Sequence, residues 1–75
     1  MGYYKNKGPT SDKLLTAIVQ DIDAGGVRHG RKYHKIRDTA QHRAIFNTRA
    51  KAKFPRAFMV IYYNQDRSEA YRDKL

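Results

Sequence analysis

Seven consecutive apolar residues, Ala57-Phe58-Met59-Val60-Ile61-Tyr62-Tyr63, constrain the fold of this chain more than any other feature. β-branched and aromatic side chains dominate the run, which favours an extended backbone. Alternation places Phe58, Val60 and Tyr62 on one face and Ala57, Met59, Ile61 and Tyr63 on the other. A strand that is apolar on both faces is usually central and covered on both sides. The chain has 75 residues, room for one domain and little more. It has no Cys, so no disulfide supplements a small core. Zero Cys also agrees with a cytoplasmic location. The run is far short of the roughly 18–20 residues that span a bilayer. The first residues, Met1-Gly2-Tyr3-Tyr4-Lys5, lack the apolar stretch of a signal peptide.

The rest of the chain is read around that strand. Residues 1–9, with two Tyr, two Lys, two Gly and a Pro, read as an N-terminal arm, and residues 10–75 as a single α+β domain. Leu14, Leu15, Ile18, Val19 and Ile22 trace a helical stripe by the spacings 14-18-22 and 15-19. A helix over about 12–24 is expected, capped by Thr10 or Ser11 and ended by Gly25-Gly26. A glycine-rich basic loop and a short strand, Tyr33 to Arg37, should follow. Asp38 with Gln41 resembles a capping box for a second helix over 39–53, with Phe46, Ala50 and Phe54 as its core stripe and Pro55 as its stop. Asn64 to Ser68 is a turn cluster, and Glu69 to Lys74 should return as a strand with Tyr71 inward. The expected order is α-β-α-β-β: two helices packed on a three-stranded, largely antiparallel sheet ending in a C-terminal hairpin. If both helices cover one sheet face, the N-terminal tyrosines or a second copy of the chain, as a homodimer, would have to cover the other.

Charge is concentrated. The chain holds 16 Lys+Arg against 7 Asp+Glu, a formal net charge of +9. Residues 1–27 and 57–75 are each electrically neutral, so the whole excess lies in residues 28–56. That segment carries Arg28, Arg31, Lys32, Lys35, Arg37, Arg43, Arg49, Lys51, Lys53 and Arg56 against one acid, Asp38. His29, His34 and His42 fall there too. Such a block suits nucleic acid, whose phosphates release counterions when Lys or Arg neutralises them. Arginine adds bidentate grip and stacking. The expected contacts run from Arg28 to Arg56, with His42, Arg49 and Lys53 as a stripe on the second helix and Tyr33 as the best base-stacking candidate. At roughly 22 Å, that helix could lie across a major groove. The binding would be mainly to backbone phosphates of DNA or RNA, with weak or no sequence specificity.

The competing reading is a protein-interaction module or inhibitor that docks its basic face on an acidic partner protein, with Ile45 or Met59 as apolar anchor. Small basic Cys-free domains of this type are common among phage and plasmid accessory proteins. Catalysis has little support: the chain has one Glu, Glu69, and Ser11 and Ser68 sit in capping and turn contexts. His spacings of five and eight, without Cys, match no standard metal-ligand pattern, so no metal or other cofactor is expected. In architecture, residues 38–74, a basic helix leading into a hairpin, resemble the end of a winged helix. A full winged helix has a further helix before its recognition helix, and residues 27–37 are too short and glycine-rich to supply one.

Overall fold

The computed structural model describes residues 13–75. The expected helix at 12–24 is not there. The order is β1 (Leu14–Ile22), β2 (Arg28–Arg37), α1 (Ala40–Lys53), β3 (Ala57–Tyr63) and β4 (Glu69–Lys74). One helix packs on a four-stranded sheet of order β2-β1-β3-β4, with every neighbouring pair antiparallel. The fold is thus β-β-α-β-β, and it replaces the α-β-α-β-β arrangement of two helices over three strands. The proposed N-terminal arm lies outside the described residues.

The misassigned segment satisfies two periodicities at once. Leu14, Leu15, Ile18, Val19 and Ile22 fit a helical stripe, but they also fit a strand that carries apolar residues on both faces. In β1, Leu15, Ala17, Val19 and Asp21 are buried and alternate with half-buried Leu14, Thr16, Ile18, Gln20 and Ile22. Four of its nine residues are β-branched, which weakens a helix and favours a pleat. Neighbours decide the matter. β1 sits between β2 and β3, where every one of its backbone groups can join a ladder. Gly25-Gly26 is then a hairpin turn instead of a helix end. Gly26 takes φ +83°, and the Asp23 carboxylate accepts hydrogen bonds from the Gly25 and Val27 N–H groups at 2.9 Å each. His29 closes the clip at 2.8 Å, and its hydrogen bond, ahead of the Val27 amide, holds the Asp23 carboxyl below the ordinary range.

The expected short strand at 33–37 is the end of a ten-residue strand that also absorbs the basic loop. β2 pairs with β1 from Arg28 onward, with one bulge where three steps along β2, Tyr33 to Ile36, match two along β1, Ala17 to Leu15. Lys35 in that bulge adopts φ +63°. α1 begins close to expectation, but its N-cap is Thr39 and not Asp38: the Thr39 hydroxyl accepts from His42 N–H at 3.1 Å. Asp38 instead takes the Arg43 guanidinium at 2.8 Å and Lys13 at 3.7 Å. The helix ends at Phe54 ahead of Pro55, and the β3–β4 hairpin forms over the expected residues.

The core lies between α1 and one sheet face. Register puts Tyr33, Ala17, Tyr62 and Tyr71 in a row across all four strands on that face. Phe46 of the helix packs edge-on to Tyr33 at 5.5 Å and to Tyr62 at 6.1 Å, and Tyr62 meets Tyr71 at 6.5 Å. Ala17, the small member of the row, leaves the gap that Phe46 covers. The next row sets Val19 against Val60, both fully buried. Tyr62 is the largest fully buried side chain. Its hydroxyl donates to Asn47 Oδ1 at 2.5 Å and lies 3.2 Å from the Arg43 carbonyl oxygen, while Asn47 Nδ2 donates to Asp73 at 2.9 Å. Burial, then the nearby Asp73 charge, raise the phenol far above its usual range, so it stays a donor. Tyr62→Phe should cost about 1–3 kcal/mol by leaving Asn47 Oδ1 without its donor. In a domain this small, thermal denaturation should register that as a fall of at least several degrees. An unchanged melting temperature would show that the hydroxyl contributes nothing.

Candidate nucleic-acid interface

The ten-residue strand β2 divides the basic block. Because side chains alternate along a strand, its register partners assign each residue to a face. His29, Arg31, Tyr33 and Ile36 pair with Asp21, Val19, Ala17 and Leu15 and so face α1. Arg28, Gly30, Lys32 and Arg37 pair with Ile22, Gln20, Ile18 and Leu14 and so face away. His34 belongs with the second set, because its Nδ1 bonds the Thr16 hydroxyl at 3.1 Å. The single surface expected from residues 28–56 is therefore split between two sides of the sheet.

Several expected contact residues are engaged within the fold. Arg31 binds the buried Asp21 carboxylate at 3.1 and 3.4 Å and lies 4.4 Å over the Phe54 ring. Arg43 binds Asp38 and lies 3.8 Å over Tyr71. Tyr33, the expected stacking platform, instead packs against Phe46 beneath the helix. Lys51 Nζ donates to the Ala57 carbonyl at 2.9 Å. His42 is tied to the helix cap through Thr39 Oγ1 at 2.6 Å. Lys53 lies 5.7 Å over Phe54. Arg49 and Arg56 are exposed, on the helix and in the following turn. Lys35 is exposed at the bulge of β2, an edge strand, where a charge and a bulge together discourage pairing with another chain.

The face away from the helix has a different character. Its centre is apolar: Ile18 stands opposite Ile61, and Thr16 opposite Tyr63. These residues are half-buried. None of the described helices covers them, since α1 packs on the other side. The flanks are basic. One register row reads Lys32–Ile18–Ile61–Arg72, and the next reads Gly30–Gln20–Met59–Lys74. Three strand spacings put about 14 Å between the basic edges. On β2, alternate residues are roughly 6.8 Å apart, so Arg28, Lys32, His34 and Arg37 form a line. Arg28 also lies 5.7 Å from the Phe58 ring. Among the described residues, the one acid whose register places it on this face is Glu69, which pairs with Arg72 at 2.8 Å. That hydrogen bond lowers Glu69 and raises Arg72, and both side chains are well exposed.

Arg72 and Lys74 were missed because the C-terminal segment is neutral in sum. The signal was present but needed the register: alternation in β4 sends both bases to one face. Among the described residues no cluster of His, Asp, Glu or Cys could hold a metal ion. No helix among them is long and apolar enough to cross a membrane. Comparison with known proteins finds no matching protein family, no similar curated protein and no matching solved structure.

The division of β2 has a measurable consequence. Arg31→Ala should destabilise the fold by about 1–3 kcal/mol, because it strands the buried Asp21 carboxylate. Arg28→Ala and Lys32→Ala, on the other face, should each stay within about 0.5 kcal/mol of the parent. Urea unfolding of the three variants tests this, and equal losses would refute the assignment of faces.

Proposed function

We propose that this chain binds nucleic acid across the open face of its sheet, through backbone phosphates and with weak or no sequence specificity. The register row Lys32–Ile18–Ile61–Arg72 carries the reading, because it sets bases at both edges of an apolar centre that the helix does not cover among the described residues. Arg28, His34, Arg37 and Lys74 extend the two basic edges. An exposed Glu69–Arg72 pair is worth little in water, so a phosphate can replace the carboxylate at small cost. The helix contributes less than the sequence alone suggests, since Arg43 is paired with Asp38 and the exposed Lys51 donates to the Ala57 carbonyl.

Fluorescence anisotropy with labelled single-stranded DNA, duplex DNA and RNA at two salt concentrations tests the reading. Affinity should fall steeply with salt, by a logarithmic slope of roughly 0.7–0.9 per phosphate contacted. The triple variant Arg28→Ala, Lys32→Ala, Arg37→Ala should lose affinity and flatten that slope by about two. Arg49→Ala with Lys53→Ala should change neither by much. Absence of binding at low salt, or binding indifferent to salt, would sink the proposal.

A second reading, docking on an acidic protein surface, draws on Ile45. That side chain is 44% exposed on the outer side of α1 beside Arg49. The two surfaces lie on opposite sides of the molecule, which separates the readings. Under the second, Ile45→Glu should abolish binding to an acidic protein partner while leaving oligonucleotide affinity intact. Retention of partner binding would remove Ile45 as its anchor.

A further inference from the structure

We infer that the open face takes single-stranded rather than duplex nucleic acid, with one unpaired base seated in a cleft against Tyr63. This rests on the binding proposed above and names the form of its ligand. A duplex turns phosphates and groove edges outward and keeps its base faces stacked inside. Against it, Ile18, Met59, Ile61 and Tyr63 would meet only charged and sugar groups. A single strand offers exposed base faces that bury such side chains, while its phosphates reach the basic edges.

The cleft is formed where the face meets the β3–β4 turn. The turn is drawn back toward β1 by Gln65, whose Nε2 donates to the Leu14 carbonyl at 2.6 Å. The resulting hollow has a volume of about 460 Å³, within the range of small-molecule sites. Ile18 and Tyr63 supply apolar surface, and Lys32, His34 and Arg67 supply basic groups around it. Asn64 is in the wall. Its Nδ2 donates to Ser68 Oγ at 3.0 Å, but its Oδ1 is the one buried side-chain polar atom among the described residues with no donor. Arg67 adopts φ +73°, a left-handed backbone that glycine or asparagine takes at less cost. Turn geometry alone does not call for an arginine there, whereas a phosphate beside the seated base does.

The test uses the full chain with fluorescein-labelled dT12 and a duplex of equal length. The single strand should bind more tightly than the duplex. Tyr63→Ala should weaken dT12 binding about ten-fold or more with an unchanged salt slope, and Tyr63→Phe should retain binding. Arg67→Gly should reduce the salt slope by about 0.7, while its melting temperature stays level or rises, a combination no folding defect produces. Duplex bound as tightly as dT12, or Tyr63→Ala without effect on dT12, would overturn the cleft while leaving phosphate binding standing. Failure to bind any oligonucleotide would overturn both readings. Sedimentation showing a dimer that Tyr63→Ala dissociates and dT12 does not would assign the face to self-association and reject the inference.

Discussion

The contact of Phe46 with the aromatic row beneath it holds the helix to the sheet. Tyr33, Tyr62 and Tyr71 come from three different strands, and Phe46 bridges the first two from above. Among the described residues, three of the seven buried hydrophobic ones are alanines, so the large rings carry a disproportionate share of the buried area. Tyr62 also joins the polar chain through Asn47 to Asp73, which fixes helix, third strand and fourth strand together. Placing the helix there determines which face of the sheet is left without a helix among the described residues. The candidate site is a consequence of where the aromatic packing is.

The same arrangement changes what the basic residues are for. Charge on an edge strand has two uses at once: it blunts the strand against pairing with another chain, and it forms a row on one face. Lys35, exposed at the bulge, fits the first use. Arg28, Lys32 and Arg37 fit the second, joined from the far edge by Arg72 and Lys74. Arg31 and Arg43 serve neither, because their partners Asp21 and Asp38 are inside the fold. The formal charge of +9 does not say where each base lies: Arg31 and Arg43 are paired with Asp21 and Asp38, while Arg72 and Lys74 share the face of Lys32.

Parts of the fold were legible without coordinates. The run 57–63 is an inner strand with the expected limits, because β-branched and aromatic residues on both faces leave few other options. The second helix, its core stripe of Phe46, Ala50 and Phe54, and the C-terminal hairpin were also readable from propensity, Pro55 and turn residues. Strand β1 was not, since Leu14 to Ile22 satisfies both a 3.6 and a 2.0 period and so reads as a helix. Residues 28–32 were hidden by glycines that favour loops in isolation. At Gly30, however, an added Cβ would stand 3.1 Å from the Ile18 side chain, so glycine there serves close cross-strand packing.

The sequence by itself determined the local matters: a short two-faced strand, a basic helix ended by proline, a tight C-terminal turn and an excess of positive charge. Each follows from residues within a few positions of one another. Only the tertiary structure decided that 14–22 is a strand, that 28–37 is its edge neighbour and that the bases fall on opposite sides of the sheet. Those outcomes depend on pairing between segments far apart in the chain. Shifting a strand by one residue reverses its faces, and only the partner strand sets that register.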